Sequence, residues 1–148
     1  MKRFLVTLIA TYFLINLSAA NKAVYNIMDY GAIADTTILS TNAIQKAIDE
    51  CAKNGGGVVW VPSGNYLTTS VVLRSNVNLH LDAGSALYAS RRVSDYKNHK
   101  IKVGASDAEA VEVILIALNE NNISVTGTGK LHCQAVREQF RREPQLAI

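Results

Sequence analysis

The stretch that decides the fold reads TNAIQKAIDECAK over residues 41–53, NGGG over 54–57 and VVWVPSGNY over 58–66. Its first part has apolar side chains at helical spacing, namely Ala43, Ile44, Ala47, Ile48 and Cys51. We therefore predict one amphipathic helix over residues 42–53. Thr41 or Asn42 is expected to cap its start, and Gln45 completes a capping box if Asn42 is the cap. The following Asn-Gly-Gly-Gly run is expected to end it.

Short β-runs follow the helix. They are expected near residues 58–61, 66–67, 71–73, 77–81, 86–88, 111–118 and 123–126, and a further one precedes the helix at 25–27. Within residues 77–82 apolar and polar side chains alternate, which is typical of a half-buried strand. No Asn-Gly or Asp-Gly pair separates the strands, so hairpins are disfavoured. The pattern instead favours an all-β parallel β-helix, in which coils stack and the helix at 42–53 covers the open first coil.

The first twenty residues have the features of a secretory signal peptide. A basic start, Met1-Lys2-Arg3, precedes an apolar run to Leu17 and the small residues Ser18-Ala19-Ala20. The alternative, a membrane anchor, is disfavoured because the run is shorter than the ~20 residues that a spanning helix needs. We expect cleavage after Ala20, a secreted or periplasmic location, and no membrane association of the mature chain.

Composition limits the partners. The 148 residues predict one domain, and Lys2 and Arg3 account for two of the three net positive charges, so the mature chain is near +1. We therefore expect no nucleic-acid partner, since binding of that kind needs a concentrated basic patch. Cys51 and Cys133 are too few for a disulfide framework, and a buried thiol is favoured for Cys51 because it lies on the apolar helix stripe.

Several residues were weighed as candidate sites. His80 and Asp82, with Asn78, project from one side of a strand, where an acid–base pair is one interpretation and a solvated outer face is favoured. The basic loop over residues 91–102 either meets a polyanionic substrate or, the favoured interpretation, is simply solvated. His99 and His132 are expected at the surface. Residues 55–57 lack the Gly-Lys-Ser/Thr of a phosphate loop, and no cluster has metal-ligand spacing.

The segments DYGA, TNAIQKAIDEC, GGGVVWVPSGNY, LRSNVNLHL and GSALYAS resemble the start of glycoside hydrolase family 28, the polygalacturonases. Residues 117–119 and 122–129 resemble the next segment of that family, so the resemblance covers about residues 24–130. It implies a right-handed parallel β-helix that binds α-1,4-galacturonan (pectin) and hydrolyses it with inversion. Inversion requires two carboxyl groups roughly 6.5–9.5 Å apart, which leaves room for the attacking water.

The catalytic motifs of that family, Asn-Thr-Asp, Asp-Asp, Gly-His-Gly and Arg-Ile-Lys, are absent from this sequence. No catalytic, cofactor-binding or metal-binding residue is therefore assigned, and the chain as given is expected to be inactive. The resemblance stops near residue 130, so residues 131–148 are interpreted as an aberrant tail after a lost reading frame, and residues 21–130 as the N-terminal coils of a truncated fold. Two alternatives remain open: a pectate-lyase-like enzyme, and a non-catalytic tailspike-type module that binds polysaccharide.

Overall fold

The computed structural model describes residues 23–96, 101–102, 109–110 and 113–133, with the side chains of 93, 101, 102, 109 and 110 excepted. The predicted signal peptide, His99, and residues 134–148 of the predicted tail lie outside the described residues.

One helix and eleven short strands make up the described regular structure, together with two 3-10 turns at Ile27–Tyr30 and Val93–Asp95. The helix, α1, spans Thr41–Lys53. The strands are β1 Val24–Asn26, β2 Gly57–Val61, β3 Gly64–Thr68, β4 Val71–Val72, β5 Val77–Leu81, β6 Ser85–Ala89, β7 Ile101–Lys102, β8 Glu109–Ala110, β9 Leu115–Ile116, β10 Ser124–Gly127 and β11 Lys130–His132.

The strands stack as coils of a solenoid. Sheet A has the order β1-β2-β5-β10, sheet B the order β3-β6-β11, and sheet C pairs β4 with β9. Every pairing in these three sheets is parallel. Successive coils therefore lie in register, and each coil passes in turn through sheets A, B and C. The expected parallel β-helix is confirmed; β7 and β8 form an antiparallel pair within the loop that leaves sheet B.

The core lies between the sheets and the helix. On β5 the side chains of Val77, Leu79 and Leu81 are buried while Asn78 and His80 are not, as the alternation predicts. All five apolar positions of the α1 stripe are buried, including Cys51. Burying a side chain of the size of isoleucine contributes about 1.5–3 kcal/mol, so this stripe is a large part of what holds α1 on the coils.

The corner before sheet A repeats in three coils. The register places Gly56, Asn76 and Asn122 at equivalent positions, with φ angles of +102°, +65° and +55°. Glycine and asparagine tolerate this left-handed conformation, which other residues rarely adopt. A Cβ on Gly56 would lie 2.4 Å from the backbone oxygen of Asn76, so the first corner requires glycine. In the next two coils the asparagines stack, and Asn122 Nδ2 donates to Asn76 Oδ1 at 3.0 Å.

Two element boundaries differ from the sequence prediction. The helix begins at Thr41 with Ser40 in the N-cap position, so neither Thr41 nor Asn42 is the cap. The Ser40 hydroxyl instead exchanges two hydrogen bonds with the backbone of Ile33, which fixes the preceding loop. Of the strand predicted over residues 111–118 only Leu115–Ile116 is a strand, with 111–112 outside the described residues.

The capping box predicted for Gln45 is wrong, because its side chain faces sheet C. Its Nε2 donates to the backbone oxygen of Val72 at 3.0 Å, and its Oε1 accepts from the Val72 N–H at 2.8 Å. This pair of bonds copies what a neighbouring strand would supply. Among the described residues no strand precedes β4 in sheet C, so Gln45 satisfies the edge of β4.

The beginning of residues 131–148 continues the solenoid. Leu131 and His132 lie in β11, in parallel register with Leu87 and Tyr88 of β6. Cys133 is exposed and is not joined to the buried Cys51 by a disulfide.

We predict that Gln45→Met lowers the free energy of unfolding by about 1–2 kcal/mol, because the Val72 N–H and C=O lose their partners. Methionine keeps the chain length and helix propensity of glutamine, so the loss reports the two hydrogen bonds. Chemical denaturation of the full chain measures it. Lys46→Met, on the exposed side of α1, is the control, and equal losses in the two variants would contradict this role of Gln45.

Candidate functional site

The candidate site is a pair of adjacent cavities on the outside of the solenoid, beside the start of α1. The larger has a volume of about 700 Å³ and the smaller about 310 Å³. Leu39 and Asp95 line both, so the two cavities meet. Ligand sites in proteins commonly have volumes of about 300–1,000 Å³.

Sheet B forms the floor of the larger cavity. Leu39, Leu67 and Tyr88 line it and are partners in successive coils, Leu39 through an isolated parallel bridge to Leu67. In the next coil His132 is the register partner of Tyr88, and the two rings stack with centroids 4.5 Å apart and planes 7° from parallel. The outward side chains of sheet B thus form an apolar and aromatic ladder that runs across the coils.

Hydroxyls and charges form the walls of the larger cavity. Thr36 and Thr37 lie on one side, and the turn over residues 90–95 lies on the other. That turn contributes Arg91, Arg92 and Asp95. Two guanidinium groups against one carboxylate leave this lining with a net positive charge.

The turn that carries the two arginines is held by Ser90. Its N–H donates to the Thr68 oxygen at 2.7 Å, and its hydroxyl donates to Asp95 Oδ2 and accepts from the Arg92 N–H. The buried Tyr96 closes the turn by donating its hydroxyl to the Ser90 oxygen at 2.9 Å. The arginines therefore project from a backbone that is fixed to sheet B.

The smaller cavity is lined by polar groups of α1 and sheet C. Thr41, Gln45, Thr69 and Ser70 face it, and Thr69 N–H donates to Thr41 Oγ1 at 2.9 Å. The Ser70 hydroxyl is buried, and within the described part of the chain it has no hydrogen-bond partner.

Arg74 lines the far end of the smaller cavity, and its charge is already compensated. Its Nε lies 2.9 Å from Asp49 Oδ1, and its Nη1 lies 3.7 Å from Glu120 Oε1. The carboxylate of Glu120 also accepts from the N–H and hydroxyl of Ser75, at 2.7 and 2.6 Å. These hydrogen bonds from Ser75, together with Arg74, hold the pKa of Glu120 below its usual range.

The structure does not bring the histidines and acids named from the sequence into one site. His80 Nδ1 lies 2.9 Å from Thr126 Oγ1, which donates to Asn78, whereas Asp82 accepts from the Ala83 N–H. His80 and Asp82 therefore have separate partners on the outer face of sheet A. Among the described residues, no group of three metal-ligating side chains comes together, and no helix is long and apolar enough to cross a membrane.

Sequence reasoning missed the ladder of sheet B. Leu39 lies outside every predicted strand and His132 lies in the predicted tail, whereas the structure bridges Leu39 to Leu67 and stacks His132 on Tyr88. The signal for Tyr88 was present, because it is the outward residue of a short β-run. The register that aligns it with Leu39, Leu67 and His132 comes only from the coil geometry. Of the basic loop, Arg91 and Arg92 line the cavity, and Lys97 and Lys100 lie outside the described residues.

Comparisons with known proteins place the chain in a family of pectate lyase-like proteins. The model of the family described as "Rhamnogalacturonase A/epimerase, pectate lyase-like" matches residues 24–130. An exo-poly-α-D-galacturonosidase of Dickeya chrysanthemi is 36% identical over 107 residues, which are 72% of this chain and 17% of that protein.

Two solved structures share the fold. The family 28 exopolygalacturonase of Yersinia enterocolitica has a TM-score of 0.67 and 33% identity over 76% of this chain and 21% of that one. The exopolygalacturonase of Thermotoga maritima has a TM-score of 0.63 and 29% identity over 76% and 25%. The predicted right-handed parallel β-helix and the resemblance to polygalacturonases are confirmed. The chain spans about a fifth of the length of these relatives.

We predict that Glu120 makes the stability of the chain depend on acid pH. Because its pKa is lowered in the folded state, its contribution is complete above the ordinary glutamate pKa and is lost as the pH falls through the lower, folded-state value. Glu120→Gln should therefore flatten the fall in melting temperature on that acid side. Thermal melts at a series of pH values measure it. Glu50→Gln, on α1, is the comparison, and the same flattening in both variants would contradict the assignment to Glu120.

Proposed function

Because this chain belongs to the rhamnogalacturonase A/epimerase, pectate lyase-like family, we propose that it forms the first coils of a polygalacturonase-like glycoside hydrolase that acts on pectin. The bond hydrolysed would be the α-1,4 bond of galacturonan, and inversion would place two carboxyl groups on opposite sides of it. The observation that carries the proposal is the family match over residues 24–130, which spans the helix α1 and the coils from β1 to the start of β11. Pectic polysaccharide is the proposed partner.

We propose further that the 148 residues bind substrate without cleaving it. The sequence lacks the paired acidic motifs of the resembling family. In the described residues the carboxylates nearest the cavities already have structural partners: Asp95 accepts from Ser90, Asp49 bonds Arg74, and Glu120 bonds Ser75. Groups engaged in this way hold the fold together and are poorly suited to activating water.

The test is an assay of the full chain on polygalacturonate that measures reducing ends and unsaturated products separately. We expect neither product from the 148 residues. For the same chain extended by the residues encoded downstream, we expect reducing ends without ultraviolet absorbance from unsaturated sugars. Unsaturated product would identify a lyase and overturn the proposal. Retained binding with neither product in the extended chain would identify a non-catalytic module.

We also propose that the protein is exported and is cut after Ala20, which would place the mature enzyme where pectin is found. The support is the order of basic, apolar and small residues over positions 1–20. Mass spectrometry of the protein from the periplasm or medium should give an N-terminus at Asn21. A chain that stays in the cytoplasm with Met1 at its start would contradict export.

A further inference from the structure

The larger cavity combines an apolar floor with positive charge in a way that the family match does not explain. Leu67 and Tyr88 are neighbours in the parallel register of β3 and β6, so their outward side chains form one surface. Neighbouring strands lie ≈ 4.7–4.9 Å apart. Two such steps, from Leu39 through Leu67 to Tyr88, give a floor about 10 Å long. The pyranose ring of a sugar can pack against such a surface through the C–H groups of one face.

The charge of the cavity comes from the fixed turn beside that floor. The side chains of Arg91 and Arg92 are exposed at its rim. Within the described residues the guanidinium of Arg92 forms no ion pair. Asp95, the one carboxylate among the described lining residues, already accepts from the Ser90 hydroxyl. Asp35 lies close in sequence to Thr36 and Thr37, and its carboxylate is likewise engaged, by the N–H and hydroxyl of Thr37.

The hydroxyls complete a surface suited to sugars. Thr36 and Thr37 line the same cavity, where the Thr37 hydroxyl donates to Asp35 and keeps its capacity to accept. Hydroxyl groups both donate and accept, which matches the hydroxyls of a sugar ring. An arginine binds a carboxylate with two parallel, charge-assisted hydrogen bonds, which are stronger than those that the neutral hydroxyls of a sugar accept.

We propose that this cavity binds an acidic sugar residue of a uronic-acid oligosaccharide. The sugar ring lies on Leu67 and Tyr88, and its carboxylate is held by Arg92 with Arg91 beside it. The choice of a uronic acid rests on the proposed function, whereas the location of the site rests on the cavity alone. Because Ser90 fixes the turn before any ligand arrives, little ordering of the backbone is needed on binding.

The test is a titration of the full chain with a short oligogalacturonate, followed by calorimetry and by NMR of the leucine and isoleucine methyl groups. We expect the methyl signals of Leu39 and Leu67 to move and that of the buried Ile48 to stay. The same oligosaccharide with its carboxylates methyl-esterified should bind about tenfold more weakly, since the charged hydrogen bonds are lost. Equal affinity for the two ligands, or signals that move elsewhere, would overturn the proposal.

Substitutions test which positive side chain binds the carboxylate of the ligand. Arg92→Gln should weaken binding of the acidic oligosaccharide about fivefold and leave the esterified one unchanged, and Arg91→Gln with Arg92→Gln should weaken it further. Lys46→Gln, which removes an equal charge on the exposed side of α1, should have no effect. Circular dichroism checks that each variant folds, and the NMR shifts of the unaltered chain test the site without any substitution. Unchanged affinity in Arg92→Gln would overturn the proposal, as would no binding at millimolar ligand.

Failure of this binding site can be distinguished from failure of the proposed hydrolase function. If the extended chain hydrolyses polygalacturonate while Arg92→Gln leaves the affinity unchanged, only the binding site proposed here is wrong. If Arg92 is needed for binding but hydrolysis never appears, the enzyme assignment is wrong and the site stands.

Discussion

The pair of hydrogen bonds between the Gln45 side chain and the Val72 backbone is the interaction on which the start of this solenoid depends. The first coil of a parallel β-helix has one edge whose backbone groups no preceding coil can satisfy. Here sheet A begins one coil early through β1, and sheet B through the bridge of Leu39 to Leu67. In the part of the chain that the structure describes, sheet C has no earlier strand or bridge. A glutamine on α1 takes its place, while the buried stripe of the same helix covers the core.

This arrangement also determines where the cavities form. The chain reaches α1 through residues 33–40, and Ser40 ties that segment to Ile33 through its side chain and to Leu67 through its N–H. Leu39 is thereby set beside Leu67 on the outside of sheet B, where it forms the boundary shared by the two cavities. The end cap and the candidate site are built from the same short loop, so a change that loosens the cap would also deform the site.

Most of the fold could be predicted from the sequence because each pattern that indicates an element lies within a short segment. The alternation over residues 77–82, the apolar stripe of α1 and the repeated turn residues each follow from one element and its exposure to water. The capping box predicted for Gln45 was wrong for a physical reason. At that position a glutamine serves equally well as a capping-box residue, and only the distant Val72 decides between the two roles. The ladder of sheet B could not be predicted from the sequence for the same reason. The register of Tyr88 with Leu39 and His132 depends on how successive coils stack.

The two cavities differ most in whether the arginine that lines them is already paired with carboxylates. Arg74, at the smaller cavity, lies between Asp49 on α1 and Glu120 before the corner of the next coil, so its charge joins the cap to the coils. Partners fixed on both sides leave it little attraction for an added anion. Arg92, at the larger cavity, extends from a turn fixed through Ser90, and within the described residues its guanidinium forms no ion pair. An acidic sugar therefore has reason to choose the larger cavity, although both cavities contain arginine. The difference is that Arg74 is paired with Asp49 and Glu120, whereas Arg92 forms no ion pair with a described residue.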